Sequence, residues 1–343
     1  MKYSEPIRKI LIIRLHAVGD TAISIPACNF IKRNYPGYEQ HFLTTAITAG
    51  LVGSFGIFSK VFDIGPGFEN SETEYNGLSK KFKRLVSSVK TGLKLRKNKY
   101  DIVIDLQNNK FSRVVRKLTA AKRHSEFEKY TEKSHSERVM DTFNSAGFKN
   151  VTNDFSLDVE EQQRKICREI LLNNGWDGIK KVILINPAGL YETRKWGMEN
   201  YLGLSQLLIN NGYTVLISGT EKIKNISAEL KSQLGKDLID IAGITTLKEI
   251  PGILSHISGA VSDDSGLFHI AWAMGIPGVL LLGATRSDWT CQPGEHTVCL
   301  NSSDLECGNC MRETCKWGDT RCLKRYKPEE VFNKLAGLMN TVN

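Results

Sequence analysis

Three short segments in the second half of the chain carry side chains that can hold a phosphate group: Thr193-Arg194-Lys195, Gly219-Thr220-Glu221 and Asp264-Ser265-Gly266. Arg194 and Lys195 can neutralise a diphosphate. Ser265 and Gly266 open a predicted helix, whose free N–H groups and dipole favour an anion. Glu221 can accept hydrogen bonds from a ribose. Because predicted strands precede these segments, we expect them to converge on one sheet edge and to hold a nucleoside diphosphate.

A carboxylate stands at the equivalent point of the first half. Residues 8–15 (R-K-I-L-I-I-R-L) predict a buried parallel strand, and the loop His16-Ala-Val-Gly-Asp20 leads into a helix. Asp20 is therefore expected at the carboxyl edge of a sheet, where open α/β folds bind ligands. Two roles are open to it: a helix N-cap, or a base that takes the proton of a substrate hydroxyl.

The elements that must position these residues are short apolar strands alternating with helices. This alternation predicts two successive α/β units of similar size, residues 1–170 and 171–343. A further expectation is that the last helix can pack back on the first unit. The sequence contains no G-x-x-x-x-G-K-[ST] phosphate loop and no G-x-G-x-x-G fingerprint. These absences argue against a P-loop enzyme and a standard dehydrogenase.

Composition indicates a globular protein of the cytoplasm. Of the 343 residues, 41% are hydrophobic, and no apolar run approaches the ~20 residues that span a bilayer. Arg14 interrupts the N-terminal apolar run at Ile10–Ile13, which is also too short for a signal peptide. We therefore expect a cytosolic location.

The net charge of +9 is concentrated in one stretch. Residues 79–124 contain fifteen Lys and Arg against two Asp, which leaves −4 for the rest of the chain. A local excess of one sign predicts an anionic partner: nucleic acid, an anionic membrane or a phosphorylated substrate. A merely solvated face is the alternative.

The eight cysteines are expected as reduced thiols or metal ligands, because disulfides are rare in the cytosol. Four of them follow a C-x2-C-x4-C-x6-C spacing that is compact enough for tetrahedral zinc: Cys307, Cys310, Cys315 and Cys322. The spacing is not the paired C-x-x-C of a zinc ribbon. Reduced thiols packing a terminal loop are the favoured interpretation, and no metal is expected.

Three motifs occur in order along the chain: R-L-H-A-V-G-D at 14–20, N-P-A-G at 186–189 followed by Lys195-Trp196, and D-S-G-L-F-H-I-A at 264–271. In these motifs the chain resembles glycosyltransferase family 9, which includes the ADP-heptose:lipopolysaccharide heptosyltransferases. The resemblance runs from residue 8 to 335 and includes the cysteine segment. His16 departs from it, since many relatives have a small hydroxylated residue in this loop.

The resemblance implies an α/β fold of the GT-B type, with two Rossmann-like domains facing across a cleft. It implies an acceptor site in the first domain and a nucleotide-sugar site in the second. By motif, Asp20 matches the general base. The expected donor-binding residues are Lys195, Thr193, Arg194, Glu221, Asp264, Ser265, Gly266 and His269.

The expected function is inverting transfer of a heptose from ADP-heptose to the lipopolysaccharide inner core, with no cofactor beyond this donor substrate. The basic stretch is assigned to an anionic phosphorylated glycolipid acceptor on the inner face of the inner membrane, where the enzyme would lie peripherally. The expected acceptor-binding residues are Lys81, Lys83, Arg84, Arg113 and Arg116.

Two alternatives stay open. One is a family 9 transferase that uses another nucleotide-sugar or acceptor. The other is a zinc-containing nucleic-acid-binding protein that uses the basic stretch and the four cysteines. The second gives no role to Asp20 or to the phosphate-holding segments, and the basic stretch lacks stacking aromatics beyond Phe82 and Phe111. We therefore expect no nucleic-acid partner.

Overall fold

The computed structural model describes residues 8–68 and 78–341. It divides into two compact units, with the boundary between Asp158 and Val159. Unit 1 precedes this boundary and unit 2 follows it. Within the described ranges, no helix combines the length and apolar character needed to cross a membrane.

Unit 1 is built on a parallel sheet of five strands in the order β3-β2-β1-β4-β5. The strands are β1 Arg8–Ile13, β2 Tyr38–Thr44, β3 Lys60–Asp63, β4 Ile102–Asp105 and β5 Arg123–Glu126. The helices are α1 Val18–Asn34, α2 Ala46–Gly53, α3 Leu78–Arg96, α4 Lys110–Thr119 and α5 His135–Ser145. The apolar runs of β1 and β4 are buried, as expected of central parallel strands covered on both faces.

Unit 2 is built on a parallel sheet of six strands in the order β11-β10-β9-β6-β7-β8. The strands are β6 Val182–Asn186, β7 Thr214–Ile217, β8 Leu238–Asp240, β9 Ile257–Asp263, β10 Gly278–Leu281 and β11 Thr297–Leu300. The α-helices are α6 Glu161–Asn173, α7 Met198–Asn210, α8 Lys224–Leu234, α9 Ile250–Leu254, α10 Gly266–Ala273, α11 Ser287–Thr290, α12 Arg321–Lys324 and α13 Pro328–Thr341. Short 3-10 helices cover Glu192–Arg194, Glu221–Ile223 and Gly235–Asp237.

Both sheets have the doubly wound order of Rossmann-like folds, so the expected α/β class is confirmed in each unit. In such a sheet, ligands bind beyond the carboxyl ends of the two strands at which the strand order reverses. Those strands are β1 and β4 in unit 1, and β6 and β9 in unit 2. Segments singled out for their chemistry follow three of these strands, β1, β6 and β9, whereas Gly219-Thr220-Glu221 follows β7.

The boundary between the units lies before the one expected at residue 170, which falls inside α6. This helix packs against α9 of unit 2. The contact is so close that a Cβ on Gly252 would lie 2.4 Å from the Cys167 sulfur. The last helix, α13, packs against α7, β9 and β10 through its buried residues Val331, Leu335 and Met339. Apolar packing therefore draws both helices into unit 2.

Candidate active site

At the carboxyl edge of the unit 1 sheet, the partly exposed carboxylate of Asp20 follows the central strand β1. Asp20 lies in the first turn of α1, just after the N-cap Ala17, and 38% of its side chain is exposed. One oxygen contacts the buried Arg14 guanidinium, and the other lies 3.5 Å from His135 Nδ1. Arg14 also donates to the Leu106 carbonyl at 2.5 Å. Two basic side chains thus orient the carboxylate, while part of it stays open to solvent.

A pocket of about 300 Å³ opens beside Asp20. Its walls come from the end of β1, the start of α2 and the loop after β4; they are Arg14, Leu15, His16, Ala17, Val18, Asp20, Thr45, Ile47, Thr48 and Gln107. Gln107 Oε1 accepts the backbone N–H groups of Leu15 and His16 at 2.9 and 3.0 Å. The amide therefore fixes the loop that carries Asp20 to the neighbouring strand, at the point where the strand order reverses.

Asp105, at the end of β4, organises the segment that carries Gln107. It is fully buried and accepts hydrogen bonds from the Asn108 N–H at 2.8 Å and the Ser112 hydroxyl at 3.0 Å. Burial raises the pKa of this carboxyl, and its hydrogen bonds oppose that rise. Asp105 thus acts as a scaffold of the pocket and is not open to substrate.

The expected acceptor-binding residues divide into two groups. Lys81, Lys83 and Arg113 are exposed, as that role requires. Arg84 is buried, donates to the Gly67 carbonyl and lies over the Phe68 ring, and Arg116 is buried beside Glu126 at 2.5 Å and Asp105 at 4.0 Å. The prediction of acceptor contacts for Arg84 and Arg116 is therefore corrected, because internal groups already engage both guanidinium groups.

At the carboxyl edge of the unit 2 sheet, Asp263, the last residue of β9, connects several segments by hydrogen bonds. Its two oxygens accept the N–H groups of Gly189 and Trp196 and the Tyr201 hydroxyl, each at 3.1 Å. Burial raises its pKa to about 7. The carboxyl thereby anchors both ends of the segment that carries Arg194 and Lys195.

Gly189 has a second constraint. A Cβ at this position would lie 2.2 Å from the Arg194 carbonyl oxygen. Any side chain would therefore push the N-P-A-G loop away from Thr193-Arg194-Lys195, here called the basic segment. The glycine of this motif therefore permits close backbone contact. Lys195 follows as an exposed side chain.

Five of the predicted donor residues come together near the end of β9: Arg194, Asp264, Ser265, Gly266 and His269. The Asp264 carboxylate lies 3.4 Å from Arg194 Nη1 and 4.0 Å from His269 Nε2, and it accepts the Thr285 hydroxyl at 2.8 Å. Ser265 caps α10 by accepting the Phe268 N–H at 3.3 Å. Gly266 is the first residue of that helix. Charged side chains and a helix N-terminus thus share one edge, as an anion site requires.

Two other predicted donor residues lie apart from this group. Thr193 is buried, and its hydroxyl donates to the carbonyls of Arg312 and Glu313. Its donor-binding role is corrected to a structural one, because its side chain ties two loops together. Glu221 follows β7, is 70% exposed and pairs with Lys224 at 2.8 Å. It is open to solvent, as a ribose contact would need.

The four C-terminal cysteines line one pocket of about 330 Å³ together with Arg312, Lys316, Trp317 and Arg321. In the described part of the chain, no three His, Cys, Asp or Glu side chains are placed to hold a metal ion. Cys291 and Cys299 form a disulfide, with Cα atoms 5.8 Å apart. The expectation of reduced thiols is wrong for this pair, since the chain after α11 brings Cys291 beside β11.

Some residues that shape these sites have no clear signal in the sequence. Arg14 lies within a quoted motif, but its contact with Asp20 depends on the loop geometry. His135 is 115 residues from Asp20 in the chain. A signal for it could come only from tertiary structure, since α5 packs against α1.

Comparison with known proteins gives full-length matches. The chain is 24% identical to lipooligosaccharide heptosyltransferase 2 of Campylobacter jejuni subsp. jejuni serotype O:6, over 94% of this chain and 96% of that protein. The E. coli ADP-heptose LPS heptosyltransferase II has a TM-score of 0.75 at 18% identity, over 97% and 99% of the two chains. E. coli heptosyltransferase WaaC, solved with ADP, has a TM-score of 0.70 at 15% identity, over 96% and 99%.

The structural matches support the expected two-domain fold of the GT-B class. The family assignment rests on sequence. A model of glycosyltransferase family 9 (heptosyltransferase) matches residues 89–320, which is more than half of the chain. The match includes the N-P-A-G loop, the basic segment and the start of α10. The protein is therefore a glycosyltransferase that belongs to family 9.

Proposed function

We propose that the protein transfers a heptose from ADP-heptose to the inner core of lipopolysaccharide or lipooligosaccharide, with inversion at the anomeric carbon. The observation that carries the proposal is Asp20, a partly exposed carboxylate oriented by Arg14 at the mouth of a pocket. The similarity to heptosyltransferases of lipooligosaccharide and lipopolysaccharide supports heptose as the sugar and the inner core as the acceptor class. The solved complex of WaaC with ADP supports an adenine nucleotide as the donor's leaving group.

In the proposed reaction, an acceptor hydroxyl attacks the anomeric carbon as the nucleoside diphosphate leaves. Asp20 takes the hydroxyl proton, and His135 and Arg14 hold the carboxylate in position. A single displacement inverts the anomeric configuration.

We propose that residues at the carboxyl edge of the unit 2 sheet stabilise the negative charge that develops on the leaving diphosphate. Lys195 supplies an exposed cation, and the start of α10 supplies N–H donors. Arg194 adds a second cation, which Asp264 holds in place at 3.4 Å. Glu221 is proposed to contact the ribose. These groups serve in place of a divalent cation, so we expect transfer to persist in excess EDTA.

The acceptor is proposed to be an anionic phosphorylated glycolipid, met by the exposed cations Lys81, Lys83 and Arg113. Such an acceptor would place the enzyme peripherally on the cytoplasmic face of the inner membrane. Nucleic acid is not part of the proposal.

The decisive experiment is a thermal-shift panel of ADP, UDP, GDP and CMP at equal concentration, followed by an assay with ADP-heptose. A bound ligand stabilises the folded state by mass action, so ADP alone is expected to raise Tm. NMR of the product should show an inverted anomeric configuration. Stabilisation by UDP instead would assign the protein to another donor within the family.

A further inference from the structure

Helix α3 turns most of its large apolar side chains outward, with Leu95 as the buried exception. Five large apolar residues are between 36% and 91% exposed, and they form what is here called the α3 stripe: Leu78, Phe82, Leu85, Val89 and Leu93. At 100° per residue, these positions fall within a sector of roughly 80° on one side of the helix. A contiguous exposed row of this kind marks an interaction surface.

Apart from Leu95, which joins the core of unit 1, the residues of α3 that pack on the protein are polar or small: Arg84, Ser87, Ser88 and Gly92. Ser87 and Thr91 donate to the carbonyls of Pro66 and Ile64 at 2.7 and 3.0 Å. Gly92 lies against α4, where a Cβ would approach the Leu118 Cβ to 2.7 Å. These contacts fix the rotation of the helix. Turning the stripe inward would break the hydrogen bonds and force bulk into the contact with α4.

The charges that α3 itself carries have one sign. Helix α3 contains no Asp or Glu, and six of its basic residues are exposed: Lys80, Lys81, Lys83, Lys90, Lys94 and Arg96. Lys83, Lys90 and Lys94 follow one flank of the stripe, and Lys81 lies on the other. A partner must therefore offer apolar material between anionic groups. A second copy of α3 would instead bring like charges together.

We propose that α3 is an interfacial helix that lies on an anionic bilayer, with the α3 stripe in the boundary between headgroups and acyl chains. An amphipathic helix with cations beside an apolar face binds in this way, by apolar burial and by attraction to anionic lipids. The proposal deepens the proposed function, because it names the surface that would bring unit 1 to a membrane-bound acceptor. It stands on α3 alone and needs no glycosyl transfer.

The test is co-sedimentation of the full chain with vesicles of phosphatidylglycerol and phosphatidylethanolamine that contain no acceptor. The variant is Phe82→Ser/Leu85→Ser/Leu93→Ser, and the matched control is Ile166→Ser/Ile179→Ser/Ile244→Ser, three exposed residues of unit 2. We expect the α3 variant to partition at least about tenfold more weakly, since each buried apolar group adds to interfacial binding. The control should bind like the wild type. Vesicles of phosphatidylcholine should bind the wild type poorly.

A second measurement locates the helix. The Phe82→Trp protein should gain tryptophan fluorescence that brominated acyl chains quench beyond the quenching of the five native tryptophans. This single change also serves if the triple variant fails to fold. Equal vesicle binding by wild type and α3 variant, or quenching in the Phe82→Trp protein no greater than in wild type, would overturn the proposal. Light scattering that shows a wild-type dimer and a monomeric α3 variant, without vesicle binding, would make the stripe a self-association surface.

The outcome is independent of the transfer assay. Vesicle binding that depends on α3, in a protein that does not respond to ADP, would leave the membrane proposal standing and remove the proposed function. Activity on a soluble acceptor, with vesicle binding unaffected by the α3 variant, would remove only the membrane proposal.

Discussion

Two aspartates show how exposure separates chemistry from scaffolding at the scale of single residues. Asp20 is 38% exposed beside a pocket, and basic side chains hold it. Asp263 is 1% exposed, and both of its oxygens accept hydrogen bonds from within unit 2. A carboxylate that must take a proton from substrate has to be reachable. Asp20 meets this condition, whereas Asp263 can only position other groups.

Replacing Asp20 by Ala should abolish most of the transfer activity and leave ADP binding nearly intact. Loss of a general base costs about 10²–10⁴ in rate, and the adenine nucleotide is proposed to bind unit 2. The rate should be measured with saturating ADP-heptose, and ADP binding by thermal shift. Asp158→Ala, which removes an exposed carboxylate of unit 1, is the control and should keep wild-type turnover. Turnover of Asp20→Ala within about tenfold of wild type would remove Asp20 from this role.

Replacing Lys195 by Ala should reduce the Tm shift that ADP induces, while the Tm of the free protein stays nearly unchanged. Lys195 is exposed, so its removal costs little stability, but a diphosphate would lose a charge-assisted contact. Lys236→Ala, another exposed lysine of unit 2, is the control. An identical ADP titration for all three proteins would exclude Lys195 from the nucleotide site.

How far single residues can be predicted from sequence depends on tertiary contacts. The motif order located Asp20 and the Asp264 group correctly on their sheet edges. The same reasoning placed Arg84 and Thr193 in binding sites, although both are buried. A basic or hydroxyl side chain has the same local signature whether it meets a ligand or a neighbouring carbonyl. The partner across the fold decides between the two.

At the scale of elements, the unit 2 edge is a segment fixed at two points. Asp263 anchors the Gly189 end and the Trp196 end through N–H bonds of 3.1 Å. Between these points lie the 3-10 helix Glu192–Arg194 and Lys195. Asp263, at the end of β9, thereby positions Arg194 and Lys195 through the backbone of the segment that carries them.

Replacing Asp263 by Asn should lower the free energy of unfolding by about 1–3 kcal/mol, because an amide N–H would face the Gly189 N–H and leave it without an acceptor. The loop would loosen, so ADP should also bind more weakly. Urea unfolding and an ADP titration measure the two effects. A fully stable variant with weaker ADP binding would mean that Asp263 contacts the nucleotide itself.

The same variant should change the pH dependence of stability. The folded pKa of Asp263 is raised from 3.8 to about 7, so the folded state binds a proton that the unfolded state releases. The contribution of this carboxyl to the free energy of unfolding is fully present below the unfolded pKa and is lost as pH rises to the folded pKa. The free energy of unfolding of the wild type minus that of the Asp263→Asn variant should therefore fall by about 1.4 kcal/mol per pH unit across that window. A difference that is constant between pH 5 and 7.5 would contradict the raised pKa.

Element order could be predicted more fully than element orientation. Alternating apolar strands and helices are local signals, and they predicted the two α/β units. The apolar side of α3 was also visible, but an apolar stripe normally predicts the face turned inward. The hydrogen bonds of Ser87 and Thr91 reverse that face, and no local pattern shows it. The unit boundary was likewise decided by packing, between α6 and α9.

At the scale of the whole molecule, charge is divided between the units. Unit 1 contains 26 Lys and Arg against 16 Asp and Glu, a net +10, whereas unit 2 contains 20 against 21, a net −1. Long-range attraction of an anion should therefore depend on unit 1. Because α3 and α4 carry many of these cations on their exposed faces, attraction should act on the acceptor more than on the nucleotide.

Reversing Lys81, Lys83 and Arg113 to Glu should raise the apparent KM for a soluble phosphorylated acceptor about tenfold at low salt and leave kcat nearly unchanged. In the proposed function these cations attract and position the acceptor without taking part in bond making. The difference should shrink in 1 M salt, where the Debye length falls to ~3 Å. Lys180→Glu/Lys236→Glu/Lys248→Glu changes the net charge equally on unit 2 and should leave the acceptor KM near the wild-type value. An equal rise in KM for both triple variants would show that net charge alone governs attraction; no rise in either would reduce the basic stretch to a solvated face.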